Sequence, residues 1–253
     1  MKRISILLAL LTLFVAEVAM AAGAVVTSLA GSVQVQTGSA APRALRVGDE
    51  VAQGDTIFTG ANSSIVMKFD DGQIAALTAN SRMQVNTYSY DPPTQRGNIL
   101  LSLVVGGMRA ITGFIGHNQP NNVRFHAATA TIGIRGSDGM IITDGTDVAV
   151  TVTEGAFTFT LGTQTIVIPA GRGALGANGQ ITPGTAQQIF NRLPQNFQSA
   201  IGGLEGLTNS INEALEGRQG QPNPPPPPPP PPSQTPGPNT PTGGTGGGSA
   251  SSR

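Results

Sequence analysis

Ile65-Val66-Met67-Lys68-Phe69-Asp70-Asp71-Gly72-Gln73-Ile74-Ala75-Ala76 decides the fold class. Ile65, Met67 and Phe69 recur at every second residue, so they share one face of an extended strand. Asp71-Gly72 then supplies a pair suited to the positive φ values of a tight type I′ turn, and Ile74, Ala76 and Ala79 follow on the returning strand. The same grammar extends in both directions. Ser32 to Thr37 alternates polar and apolar residues, which puts Val33 and Val35 on one buried face before Gly38 breaks the run. Val148-Ala149-Val150-Thr151-Val152, Glu154-Gly155 and Phe157-Thr158-Phe159-Thr160-Leu161 read as a second hairpin, apolar on one face and Ala/Thr on the other. Gly162-Thr163 turns the chain into Thr165 to Ile168, and Pro169-Ala170-Gly171 closes that strand.

Residues 25–181 therefore read as one antiparallel, all-β domain of about ten or eleven short strands. A roll, a sandwich and a short β-solenoid all fit this pattern. Past Thr185 the period becomes that of a helix, with Ile189, Leu193, Phe197, Ile201, Leu204, Leu207, Ile211 and Leu215 forming one apolar stripe over residues 185–217. Pro194 and Gly202-Gly203 interrupt it, which predicts two or three short helices. These pack on the β domain or meet a partner. Arg192 and Arg218 alone could serve a basic face, which disfavours adsorption to a membrane surface.

The two ends differ in kind. Lys2 and Arg3 precede an apolar run from Ile4 to Val15 that ends in small residues, the order of a secretory signal peptide over residues 1–21. Ala19-Met20-Ala21 is the preferred cleavage site and Ala22-Gly23-Ala24 the other. The run is too short for a retained transmembrane helix, so no stable anchor is expected after cleavage. Residues 218–253 hold unbroken proline from Pro224 to Pro232, then Ser, Thr, Pro, Gly and Asn, and neither stretch can bury a core. They read as a spacer or as a proline-rich ligand for an aromatic groove, although no basic residue flanks the prolines to set a binding direction.

Composition narrows the chemistry. There is no cysteine, which removes disulfides, thiolate catalysis and zinc-thiolate sites. The 14 basic and 14 acidic residues make 11% of the chain, with no tryptophan and no cluster of Lys and Arg, so nucleic-acid binding is disfavoured. His117 and His126 lie in different segments without metal-ligand spacing, and no nucleophile or zinc-protease motif exists. No catalytic, cofactor or metal residue is assigned. Asp70-Asp71 cannot share a proton, because adjacent strand residues face opposite ways, and Asp71 and Gly72 are read as turn residues, as are Glu154 and Gly155. Gly133-Ile134-Arg135-Gly136-Ser137-Asp138-Gly139 lacks the ending of a phosphate loop and reads as glycines between strands. Asp144-Gly145-Thr146-Asp147 reads as a type I′ hairpin turn rather than a calcium loop. Arg135 emerges from an apolar, small-residue strand and needs a partner. Either it pairs internally with Asp138 or Glu154, or it faces a groove. Arg109, after Gly106-Gly107-Met108, raises the same question, so Arg135, Arg109 and Asp138 are the candidate partner-binding residues.

The order of short segments resembles the FecR domain family, in the single-domain form found in proteobacterial envelope proteins. The resemblance runs from Leu29 to Gly173. It rests on Gly31-Ser32-Val33, Leu45-Arg46-Val47-Gly48-Asp49, Gly54-Asp55-Thr56-Ile57-Phe58-Thr59-Gly60, Phe69-Asp70-Asp71-Gly72, Asn80-Ser81-Arg82 and Tyr88-Ser89-Tyr90. It continues through Gly106-Gly107-Met108-Arg109-Ala110-Ile111-Thr112-Gly113, Ala130-Thr131-Ile132-Gly133-Ile134-Arg135-Gly136-Ser137-Asp138, Val152-Thr153-Glu154-Gly155 and Ala170-Gly171. It implies an extracytoplasmic β module of the kind that relays receptor signals to sigma factors. Only three residues precede the apolar run, so a cytoplasmic anti-sigma region is not expected here. Ala127-Ala128 stands where relatives show Thr-Pro, and Gly139 where they carry an aromatic residue. The leading expectation is an exported, non-catalytic binding or scaffolding module, periplasmic or surface-exposed, that recognises an envelope protein or glycan. The alternative is a periplasmic regulatory or sensor component of a FecR-like signalling system.

Overall fold

A computed structural model describes residues 23–216, and the signal-peptide and proline-rich readings lie outside these residues. Strands run in the order β1 (Ala24–Ala30), β2 (Val33–Thr37), β3 (Arg43–Ala44), β4 (Glu50–Val51), β5 (Asp55–Thr59), β6 (Ser64–Phe69), β7 (Ile74–Leu77) and β8 (Arg82–Asp91). Then come β9 (Arg96–Ile111), helix α1 (Phe114–Asn118), a 3-10 turn (Pro120–Asn122), β10 (Val123–Ala127), β11 (Ala130–Thr143) and β12 (Val148–Leu161). β13 (Gln164–Pro169), β14 (Arg172–Ala177) and β15 (Gln180–Thr185) lead into helices α2 (Ala186–Arg192), α3 (Gln195–Gly206) and α4 (Thr208–Glu216).

All 15 strands belong to one hydrogen-bonded sheet, and it doubles over because β9, β11 and β12 exchange partners midway. In β9, residues up to Val105 pair with β8, while those from Gly106 pair with β11 and, from Met108, with β7. In β11, Ala130–Gly133 pair with β10 and Asp138–Thr143 with β9. In β12, Val148–Thr151 pair with β14 and Ala156–Leu161 with β13. The result is a sandwich. A front layer runs β3-β2-β5-β8-β9-β10-β11-β12-β13, and a back layer runs β4-β1-β6-β7-β9-β11-β12-β14-β15. Every pairing is antiparallel except β9 with β10. One apolar core lies between the layers, built from alternate residues such as Val33, Val35, Ile57, Ile99, Phe125, Ile132 and Phe159 in front and Met67, Leu77, Met108 and Ile141 behind.

The outward face of the back layer is covered. Met140, Ile142 and Ala149 pack against Ile189, Leu193, Phe197, Ile201 and Leu204 of the helical stripe, and Val66, Ile74 and Ala76 pack against Ile211 and Ala214. Thr185 caps α2 through a reciprocal bond with Gln188, and Pro194 is the N-cap of α3, its carbonyl accepting from Phe197 and Gln198. Gly202-Gly203 does not interrupt α3. A Cβ at Gly203 would sit 3.0 Å from the Thr78 methyl, so the glycine sets how closely the helix approaches the sheet.

Three turn assignments are corrected. Asp144-Gly145-Thr146-Asp147 is not type I′, because Gly145 alone has positive φ there and the Asp144 carboxylate accepts from the Thr146 and Asp147 amides. Asp71-Gly72 lies in a hairpin, but Asp71 has no positive φ. The Gly72 amide donates to the Phe69 carbonyl and Gly72 alone has φ +79, the signature of an ordinary turn across Asp70-Asp71 closed by a glycine bulge. Glu154-Gly155 is no hairpin turn, because β12 is continuous across it. Gly155, at φ +70, is instead a bend within the strand, and a Cβ there would meet the Gly136 carbonyl oxygen at 2.3 Å.

The matching bend in β11 is held by Ser137. Its hydroxyl accepts from the Arg135 and Ala156 amides, each at 3.1 Å, and donates to the Ala156 carbonyl at 2.6 Å. The Ser137 amide donates to Thr112 Oγ1 at 2.8 Å. A bulge leaves backbone groups without ladder partners, and these two hydroxyls satisfy them. Ser137→Ala is therefore expected to lower unfolding stability by about 1 to 3 kcal/mol in a denaturant titration. An unchanged midpoint would show that the bend does not depend on this side chain.

Candidate functional site

Among the described residues no helix lies over the front layer, and its outward residues follow from strand alternation. In β10, Val123, Phe125 and Ala127 are buried, which turns Arg124 and His126 outward. In β11, Ala130, Ile132 and Ile134 are buried, which turns Thr131, Gly133 and Arg135 outward. Register then assembles a row across the layer. Gln36 pairs with Thr56, Thr56 with Gln84, Gln84 with Ser102, Ser102 with His126, His126 with Thr131, Thr131 with Thr160 and Thr160 with Thr165. A parallel row holds Leu100, Arg124, Gly133, Thr158 and Val167. The face is polar, with Val167 exposed at its edge.

Two depressions open on this face, one on each side of Arg124. The first, of about 260 Å³, is lined by Arg124, Arg135, Thr131, Gly133, Thr158 and Thr160 among others. The second, of about 480 Å³, is lined by Arg124, His126, Thr87, Asn98, Asn121 and Asn122 among others. Among the described residues no carboxylate lines either one. The 3-10 turn forms the shared rim, fixed to β9 by the Asn122 side-chain amide donating to the Gly97 carbonyl at 2.9 Å and by Gln119 Oε1 accepting from the Gly97 amide at 3.2 Å. Arg124 Nε donates to the Asn121 carbonyl at 3.2 Å. Gly133 gives the floor its depth, since a Cβ there would meet Thr158 Oγ1 at 2.5 Å. At the far end of the layer Arg82 lies over the Phe58 ring, 5.6 Å from its centroid.

The three candidate partner-binding residues do not form one cluster. Arg109 and Asp138 face the helix-covered side of the back layer, in phase with Met140 and Ile142. They form a two-pronged ion pair, with Arg109 Nε donating to Asp138 Oδ1 at 2.9 Å and Nη2 to Oδ2 at 2.5 Å. Their side chains are 14% and 12% exposed. The bond to Asp138 holds the Arg109 pKa above its ordinary value, against the opposing effect of burial. Asp138 is thus engaged on the far side of the sandwich from Arg135. Arg135 makes no ion pair with a described residue, so its expected internal pairing with Asp138 or Glu154 gives way to the groove alternative.

Asp71 does more than turn the chain. Its carboxylate, fully buried, accepts from the Gln73 amide at 3.0 Å and the Ile115 amide at 3.3 Å, its carbonyl accepts from Phe114, and its amide donates to the Tyr88 hydroxyl at 3.2 Å. These bonds tie the β6–β7 hairpin to α1 and β8. Burial, followed by the nearby Asp71 and Asp70 carboxylates, pushes the Tyr88 phenol well above its ordinary pKa. Asp70 is also raised, by burial and then by Glu50.

The sequence reading did not single out Arg124 and weighed His126 only as a metal ligand, although Val123-Arg124-Phe125-His126-Ala127 alternates strictly and places both on an exposed strand face. Ala128, just beyond, has φ +46, which a proline ring cannot adopt, so the hairpin here differs in backbone from a Thr-Pro version.

The ion pair and the groove arginine make a contrast that thermal unfolding can read. Arg109→Ala leaves a mostly buried carboxylate unpaired and is expected to cost about 3 to 5 kcal/mol. Arg135→Ala, on the exposed face, is expected to stay within about 0.5 kcal/mol of the parent. Equal losses would contradict the division between the two faces.

Among solved structures, a candidate anti-sigma factor from Parabacteroides distasonis aligns at 14% identity with a TM-score of 0.42, covering 51% of this chain and 59% of that one. A second from the same organism aligns at 16% identity and 0.45, covering 62% and 74%. A cell surface anchoring domain aligns at 34% identity but with a TM-score of 0.24, over 24% of this chain and 80% of that one. No curated protein matches. The family model described as FecR protein matches residues 55–157, a narrower span than the Leu29–Gly173 resemblance, running from β5 into the second half of β12 and including the Arg124, His126, Thr131 and Arg135 face. Residues 55–157 of the chain thus match the FecR family.

Proposed function

We propose that the chain is an exported, non-catalytic recognition component of a FecR-like envelope signalling system, and that it engages its partner through the outward face of the front layer. One observation carries the reading. The two outer faces of the sandwich are treated oppositely among the described residues, with the back face sealed by α2, α3 and α4 and the front face open, polar and lined by arginines. A face needed only for solubility has no use for two arginines and a histidine gathered around one rimmed groove, since like charges on neighbouring strands repel. The FecR family match supports the regulatory role over simple scaffolding. The depressions offer guanidinium, amide and hydroxyl groups and the single imidazole of His126, with no carboxylate in the lining beside it, an inventory suited to binding.

A photo-crosslinking amino acid placed at His126 or Val167 on the front face, or at Asn209 on the exposed side of α4, tests this in living cells. The first two positions are expected to yield a discrete adduct and Asn209 none. Adducts from Asn209 alone, or from no position, would contradict the assignment of the front face.

A further inference from the structure

From the chemistry of this groove we infer that the partner group it takes is a carboxylate-bearing glycan strand. The inference rests on the front face being the recognition surface. Arg124 lies opposite Gly133 in the register of β10 and β11, and Arg135 is two residues further along the same side of β11, so the two guanidiniums are diagonal neighbours over one depression. Neither has a carboxylate partner among the described residues. Arg124 uses Nε on the Asn121 carbonyl, and no described acceptor engages its terminal nitrogens. Two unpaired, planar cation forks beside one cavity fit a planar carboxylate, which each can hold through paired hydrogen bonds.

The rest of the lining separates a glycan from an acidic peptide. β9, β10, β11 and β12 are interior strands of the front layer, with ladder partners on both sides, so a peptide laid across the groove finds no free edge to join. Among the described residues the lining holds no aromatic side chain of the kind that anchors protein interfaces, and of its aliphatic residues Val123, Ile134 and Ile99 are buried in the core. It offers hydroxyls of Thr87, Thr131, Thr158 and Thr160 and side-chain amides of Asn98, Asn121 and Asn122 instead. Such groups match the hydroxyls of successive sugar rings, and the two depressions flanking Arg124 give room for more than one ring. His126, in the second depression, adds ring nitrogens that can hydrogen-bond a sugar hydroxyl.

Calorimetric titration of the purified full chain with a short oligogalacturonate provides the test, with its methyl-esterified form and poly-L-glutamate as comparison probes. Binding to the oligogalacturonate is expected, weakening with added salt. It should fall at least about tenfold in the Arg124→Gln/Arg135→Gln double variant, whose melting temperature should match the parent, and by a similar factor on methyl esterification. Arg43→Gln, on a distant edge strand, should bind as the parent does. The inference is overturned by no binding, by equal binding of the double variant or of the esterified probe, or by preference for poly-L-glutamate. A front-face adduct in cells combined with no oligogalacturonate binding would overturn the glycan and leave the face assignment standing.

Discussion

The architecture depends on one constraint, the bend that β11 makes at Gly136-Ser137 against the bend of β12 at Gly155. The backbones approach so closely that a Cβ on Gly155 would meet the Gly136 carbonyl oxygen at 2.3 Å, and both glycines have positive φ, a conformation that side chains rarely adopt. The ladder hydrogen bonds lost there are replaced by the Ser137 and Thr112 hydroxyls. Without the bend, β11 and β12 would run straight through a single layer and the core between the layers could not close. The bend also reverses which side a residue faces. Arg135 before it looks out from the front layer, and Asp138 after it looks out from the back.

Function follows from that reversal. Because the back layer meets α2, α3 and α4, the Arg109–Asp138 pair is enclosed between sheet and helices, where its role is to hold β9 and β11 together. Because nothing among the described residues covers the front layer, Arg124, His126 and Arg135 remain exposed to solvent. The burial that makes one charge structural and the exposure that frees another are set within a few residues of the same strand. Among the described residues, no helix is long and apolar enough to cross a membrane.

Much of this was legible in the sequence. Strict alternation in Val33–Val35, Ile65–Phe69 and Phe157–Leu161 identified inward faces, and the stripe from Ile189 to Leu215 identified the helical cover. Legibility failed at glycines. Gly155 and Gly72 both supply positive φ, and a single sequence does not distinguish a glycine that reverses the chain from one that bends a strand and lets it continue. The same ambiguity hid Arg135's surroundings, since proximity of Arg135 and Asp138 in sequence suggested a pair that the bulge forbids. Choosing among roll, sandwich and solenoid needed the register of β9, β11 and β12, which is a long-range property that local periodicity does not encode. The groove was readable only in part. Alternation exposes Arg124 and His126, but their meeting with Thr131 and Arg135 comes from pairing.

The central claim is that the front face is occupied in the cell and the helix-covered side is not. The chain contains no cysteine, so a single introduced thiol reports without background. Maleimide labelling of Thr158→Cys on the front face and Asn209→Cys on α4 can be compared between purified protein and intact cells. The account expects both thiols to label readily in the purified protein, and Thr158→Cys alone to be protected in cells. Equal labelling of Thr158→Cys in both settings, or protection confined to Asn209→Cys, would contradict it.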